Sequence, residues 1–180
     1  MKRDIMQLED YYKIVDNAAE KSEDFAIPNR DVRHASYLAK TLFHHAQQEV
    51  CIFTGSLFDE YYGRDDIKSE AANFLRKSPF TKIRVAFQVG PAGEVVSGRF
   101  LKYIMADSER KGTIELYDAT KVTPSVTNHF IVSDAKAYRF ELNHDEFRAE
   151  ANFGNAKNAK ILAGVFEAIA VRSVKIPLAC

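Results

Sequence analysis

The 180-residue sequence has no excess charge of either sign: 25 lysines and arginines balance 25 aspartates and glutamates. No global basic field exists to attract nucleic acid, so binding of that kind would have to rest on a local patch. Cysteine is scarce as well. Cys51 lies in an apolar run and Cys180 at the end, a spacing that suits neither a metal site nor a disulfide framework. A reducing, cytoplasmic setting is expected, with no metal and no cofactor. No apolar run is long enough to cross a bilayer, and the opening ten residues lack the apolar centre of a signal peptide. Internal repeats and low-complexity segments are missing too. What remains is 46% hydrophobic and 28% charged, the composition of a globular chain long enough to form one domain with a proper core.

Periodicity then places the elements. Ile5, Leu8, Tyr12, Val15 and Ala19 form one apolar stripe on an amino-terminal helix, a packing face or a seam for a partner. Pro28 stops it, which divides the chain into a helix over 1–28 and a domain over 29–180. Asn29 or Asp31 caps a second helix with Val32, Ala35, Leu38, Leu42 and Ala46 inward. Glu49–Leu57 reads as a buried strand, and Asp65 or Asp66 starts a helix with Ile67, Ala71, Phe74 and Leu75 inward. A strand over Lys82–Val89, a surface loop at Gly90–Gly93, a helix over Gly98–Met105 and a strand over Thr113–Tyr117 follow. A short strand A-E-A-N-F leads to a last helix, capped by Asn155, with Ile161, Leu162, Val165 and Ile169 inward. Alternation of this kind predicts an α/β fold with a mixed, mostly parallel sheet flanked by helices.

The stretch from Val126 to Asn143 predicts a hairpin in that sheet. Phe130–Val132 and Tyr138–Leu142 are apolar runs joined by the turn-forming Asp134–Ala137. A two-residue loop at Ala135 and Lys136 sets His129 opposite Leu142 and Thr127 opposite His144. Thr127, His129, Ile131, Tyr138, Phe140, Leu142 and His144 then share one face, and Asn128, Phe130, Val132, Arg139, Glu141 and Asn143 the other. Both faces are apolar in the middle and polar at the open end.

The element order and the hairpin resemble one half of the phospholipase D superfamily, over roughly Asp31 to Val174. In that family a strand carrying His-x-Lys runs through apolar residues to an Asp, turns, and returns with Gly-Ser-x-Asn. Here the apolar run ends at Asp134, and A-N-F-G-N is similar to the family's closing segment. With Asp134 as anchor, the His position falls on Thr127 and the Lys position on His129. The Ser and Asn positions fall on Leu142 and His144. A two-residue shift makes His129 the family histidine but puts Ile131 at the Lys position. The resemblance thus implies a half-domain with a degenerate motif, in a family whose reaction pairs two such motifs.

His129 is the candidate nucleophile or general base, because imidazole titrates near physiological pH. A homodimer would bring two copies together. His144 is a second candidate catalytic group. Thr127, Asn128 and Asn152 are candidate ligand-binding residues, with Asn152 or Asn143 available to orient an imidazole. The competing reading is that a lone histidine at a strand end is a satisfied structural residue. Arg139 and Glu141 are expected to pair with each other's neighbours on the surface rather than to form an active dyad. Adjacent His44 and His45 point apart and cannot share a metal. Thr54-Gly55-Ser56 ends a strand where an anion could meet backbone N–H groups. Tyr11, Tyr12, Tyr61 and Tyr62 could stack on bases, but no basic stripe accompanies them. Two functions follow: a degenerate phospholipase D-like domain serving as a binding, accessory or regulatory subunit for a partner protein, or a divergent phosphodiesterase or nuclease using His129 at a homodimer interface.

Overall fold

A computed structural model describes residues 8–29, 31–57, 60–122, 128–143 and 148–178. In chain order the elements are α1 (Leu8–Lys21), β1 (Ile27–Asn29), α2 (Val32–His45), β2 (Glu49–Thr54), α3 (Asp65–Arg76), β3 (Lys82–Phe87), α4 (Ala92–Ser97), α5 (Arg99–Met105), β4 (Thr113–Asp118), β5 (Phe130–Ser133), β6 (Ala137–Asn143), β7 (Arg148–Asn152), α6 (Ala156–Arg172) and β8 (Val174–Ile176). The strands form one open sheet in the order β1-β7-β6-β5-β2-β3-β4-β8. The fold class is the expected one, an α/β sheet flanked by helices. The pairing balance differs from expectation. Among the described residues only β2–β3 and β3–β4 are parallel, and the other five pairings are antiparallel. Short returns after β5 and β6 enforce antiparallel neighbours, since a parallel neighbour needs a long crossover. The edge strands β1 and β8 add two more such pairings, and each is three residues long.

One sheet face carries α1, α2, α3 and α5 over a core that includes Tyr11, Leu38, Leu42, Phe43, Ile52, Phe74, Val85 and Phe100. The other face is covered by α6, over Cys51, Phe53, Phe130, Val132, Tyr138 and Phe166. Asp31 caps α2 by accepting the N–H groups of Arg33 and His34, both at 2.9 Å. Asn155 caps α6 through Asn158 N–H at 2.9 Å. The inward stripe of α6 is turned from its predicted position. Ala159, Phe166, Ile169 and Ala170 are buried, while Ile161 and Val165 are exposed. Gly90-Pro91 makes the expected turn, but a short helix, α4, follows at once.

The amino-terminal segment is joined to the rest of the molecule at several points. On α1, Tyr11, Val15, Ala18 and Ala19 are buried. Tyr12 stacks on Tyr37 of α2 with centroids 3.8 Å apart. A Cβ at Gly154 would lie 2.2 Å from the Ser22 carbonyl oxygen, so only glycine admits this approach of the β7–α6 turn. Pro28 sits inside β1 and pairs with Glu150, so the proposed boundary at residue 28 runs through a strand of the sheet. Proline is tolerated there because β1 is an edge strand.

Candidate functional site

The hairpin turns one residue earlier than the sequence suggests. Its loop is Asp134–Lys136, and Ser133 pairs with Ala137. Asp134 and Ala135 both adopt left-handed φ, 52° and 49°. Asp134 is fixed there by its carboxylate, which accepts the N–H groups of Gln47, Gln48 and Glu49 at 2.8 Å each. A one-residue slip moves every side chain of one strand to the other face. The predicted partnership of His129 with Tyr138, Phe140 and Leu142 is therefore replaced. Glu141 N–H donates to the His129 carbonyl at 2.8 Å, and His129 shares its face with Ile131, Arg139 and Glu141.

That exchange builds a polar cluster at the carboxyl ends of β2 and β3. His129 Nδ1 lies 3.2 Å from Glu141 Oε2, and its Nε2 lies 3.0 Å from Gln88 Oε1. Its ring meets Phe53 edge-on at 5.9 Å. A Cβ at Gly55 would stand 3.2 Å from His129 Cε1, so the bare backbone lets the imidazole sit against the end of β2. Arg139 is only 3% exposed. Its Nη1 donates to Glu141 Oε1 at 3.1 Å and its Nε to Asn29 Oδ1 at 3.1 Å. The guanidinium lies over the Tyr61 ring, 5.8 Å from the centroid. Four strands or strand ends thus contribute to one line of groups: Asn29, Arg139, Glu141, His129, Gln88.

Burial pushes the Glu141 carboxyl up, but the His129 hydrogen bond and the Arg139 charge outweigh it and hold the group at about 2. Glu141 is therefore ionised at neutral pH, and its charge is matched by Arg139. Burial likewise pushes the Tyr61 and Tyr62 hydroxyls up, against the pull of Arg139. The arrangement can hold an imidazole in a fixed orientation between a carboxylate and an amide. Arg139 and Glu141 are a buried pair inside this cluster, and the expectation that they pair with surface neighbours is corrected. The signal for them was in the sequence, two charges at i and i+2 on a central strand, but the register assumed for the loop put them on the wrong face.

The other predicted residues fall elsewhere. Thr127 and His144 lie outside the described residues. Asn128 is exposed, and its Nδ2 donates to the Glu141 carbonyl at 2.9 Å, closing the open end of the hairpin. Asn152 pairs with Tyr138 near the turn end, three register steps from Ala149, the partner of Glu141. It is about 10 Å along the strand from the cluster at ~3.3 Å per residue. Its side chain accepts from Gly154 and Asn155 N–H and donates to Asp24, so it shapes the β7–α6 turn. His44 lies 3.2 Å from Glu70 and is largely exposed. Tyr11 and Tyr62 are buried and offer no platform for bases. Among the described residues no group of three His, Cys, Asp or Glu side chains is placed to hold a metal. Among the same residues, no helix is long and apolar enough to cross a membrane.

The architecture is phospholipase D-like. NUC from Salmonella typhimurium, a phospholipase D family member, superposes with a TM-score of 0.60 at 12% identity, covering 87% of this chain and 100% of that one. NucT from Helicobacter pylori gives 0.55 at 12% identity, covering 86% and 100%. TrmBL2, an archaeal chromatin protein with a novel mode of DNA binding, gives 0.60 at 10% identity and 91% coverage of this chain. The chain spans 60% of that protein's length. At these identities the likeness establishes the fold. No curated protein matches the sequence. Residues 31–178 match the model of the Domain of unknown function DUF7931, and the chain belongs to that family.

Proposed function

We propose that this chain is a phospholipase D-like domain without phosphodiesterase turnover, serving as a ligand-binding accessory or regulatory subunit. The observation that carries this reading is the His129–Glu141 pair at 3.2 Å. Aligned on Asp134, the family's Lys position is His129 and the Gly of Gly-Ser-x-Asn is Glu141. A lysine that would hold phosphate is replaced by an imidazole already engaged on both ring nitrogens, and a carboxylate stands beside it. An ionised carboxylate repels a phosphate and adds to the cost of a transition state that gains negative charge on its oxygens. Losing one preorganised donor costs about 10²–10³ in rate at sites of this type, and the family's Ser position is Leu142 as well. The surface beside His129 and Asn128 is the proposed binding surface, and Thr127, outside the described residues, is proposed to join it. The 1–28 segment is proposed as a packing element that completes the domain.

A second reading draws on the same pair. A carboxylate on Nδ1 orients an imidazole for general-base or nucleophilic work, and a homodimer could supply the second group. Purified wild type and His129→Ala, assayed side by side on a bis-aryl phosphodiester and on DNA, separate the two. We expect background rates from both. Turnover that disappears in the variant while its melting temperature holds would establish the dimeric phosphodiesterase instead.

A further inference from the structure

The helices α4 and α5 are six and seven residues long and meet at Gly98. Val95, Phe100, Leu101 and Ile104 take their inward positions in the core. Val96 and Met105 stand one position off that stripe and are only partly buried, as is Ile176 of the edge strand β8. Between them runs a groove of about 590 Å³, with Gly93, Val96, Met105 and Ile176 in its lining. Sites for small molecules span roughly 300–1,000 Å³ and are mostly apolar with a few polar groups. Lys102 is the one charged residue lining this groove among the described residues. It is exposed and has no ion-pair partner among them. The carboxylates nearby in sequence are turned elsewhere. Glu94 Oε2 stands 3.8 Å from the place of a Cβ on Gly90. Asp107 accepts both Nε and Nη2 of Arg76, at 2.8 and 3.0 Å, and Glu109 shares that guanidinium. The Ser97 hydroxyl, also in the lining, gives its proton to the Glu94 carbonyl at 3.0 Å. Lys102 is left as the free donor of an otherwise apolar trough.

We infer that this groove binds a small amphiphile with an alkyl body and an anionic head, a medium-chain carboxylate, with its head at Lys102 and its chain along Val96, Met105 and Ile176. The two halves of the ligand follow from the two parts of the lining. Apolar walls left in water are stabilised by an apolar body that covers them. Met105, unbranched and polarisable, can follow the shape of a flexible chain. An uncompensated ammonium beside those walls favours an anion and disfavours a cation. A small anion without the chain would gain one exposed charge contact and leave the walls wet. The groove shares no residue with the line of groups around His129, so this inference stands apart from the reading proposed for that surface.

The test uses full-length protein titrated by NMR with octanoate, octanol, octylammonium and acetate, at neutral pH and below micelle-forming concentrations. Octanoate should bind most tightly and shift the methyl signals of Met105 and Ile176. Lys102→Met should weaken octanoate about threefold, the scale of one exposed ion pair, and leave octanol unchanged. Gly93→Leu should remove octanoate binding. A Cβ on Gly93 meets no atom within 4 Å, so the new side chain occupies open space in the groove. Its melting temperature should hold, since leucine suits a helix better than glycine. The wild-type methyl shifts and Lys102→Met decide the matter should Gly93→Leu be unstable. Octanol, octylammonium or acetate binding as tightly as octanoate overturns the inference. So does octanoate binding that ignores both variants, or no binding at all. Self-association of the protein that Gly93→Leu abolishes, without octanoate binding, overturns it in favour of a second copy seated in the groove.

Discussion

Two buried arginines sit on opposite faces of the sheet, and they are used differently. Arg84, on β3, is 9% exposed and faces α6. It grips Glu167 of that helix with both Nη1 and Nη2, meets Glu115 Oε2 at 3.2 Å and Glu49 Oε1 at 3.5 Å. It also lies over the rings of Tyr117 and Phe166. Its carboxylates stand at the rim, and the Glu167 side chain is 53% exposed. Arg139 has one carboxylate and one amide, both inside the fold. The Arg84 network closes on itself and fastens a helix. The Arg139 network runs on inside the fold to an imidazole held on both ring nitrogens. Similar ion-pair chemistry fastens a helix at the rim of one face and orders a line of polar groups within the other.

The comparison breaks most directly when each cation is removed. Arg139→Met takes the guanidinium away from the buried Glu141 and Asn29, and should cost about 3–5 kcal/mol. Arg84→Met should cost less, about 1–3 kcal/mol, because Glu167 and Glu49 can turn to water. Urea melts of both variants decide the matter. An Arg84→Met chain that loses as much stability as Arg139→Met would mean that the clamp is as dry as the site.

The two regions were not equally legible in the sequence. The strand ends that carry the Arg84 partners follow from alternation alone. Glu49, Arg84 and Glu115 start or lie within strands that the apolar pattern predicts, and their registers, Glu49 with Lys82 and Arg84 with Glu115, follow from parallel pairing. The Arg139 region depends on the length of one turn. A two-residue loop and a three-residue loop both suit S-D-A-K-A, and local propensity does not choose between them. The choice is made by contacts distant in sequence, the three backbone N–H groups of 47–49 that draw Asp134 into the turn. His129 stands out in the sequence because histidine is conspicuous at a strand end. Its partners Glu141, Arg139 and Gln88 were missed because they required that register. The edge strands β1 and β8 were missed because three residues, one of them proline in β1, carry no periodicity.

Acid sharpens the same contrast with a smaller effect. Glu141 is held at about 2 against an ordinary value of 4.5. A carboxyl whose folded pKa is depressed stabilises the fold above its unfolded value, and that contribution is lost as pH falls through the folded value. Stability from Glu141 is thus present above about pH 4.5 and fades towards pH 2, roughly 2–3 kcal/mol in all. Glu115, also held at about 2 by Tyr117 and Lys175 against the push of burial, adds a share on the Arg84 side. Urea midpoints of wild type, Glu141→Gln and Glu167→Gln should be followed from pH 7 to 2.5. Glu141→Gln should flatten the acid slope visibly, while Glu167→Gln, half in water, should track wild type. Equal flattening by both would show that the site carboxylate is no more buried than the clamp's.

The smallest expected effect tests the register itself. Leu142 occupies the family's Ser position, so Leu142→Ser restores one motif letter. Were Leu142 on the face of His129, the new hydroxyl would stand beside that imidazole and could give phosphate a donor. In the observed pairing it is on the α6 face, 51% exposed, in a groove with Tyr138, Phe140, Ile161 and Leu162. A half-exposed leucine at the end of a strand contributes little, and the change should stay within about 0.5 kcal/mol of wild type. The hydroxyl should bring neither phosphate binding nor phosphodiester turnover, because it faces away from Glu141 and His129. A measurable gain of either in Leu142→Ser would mean that the strand pairs one residue further along, and that His129 keeps company with Leu142 after all.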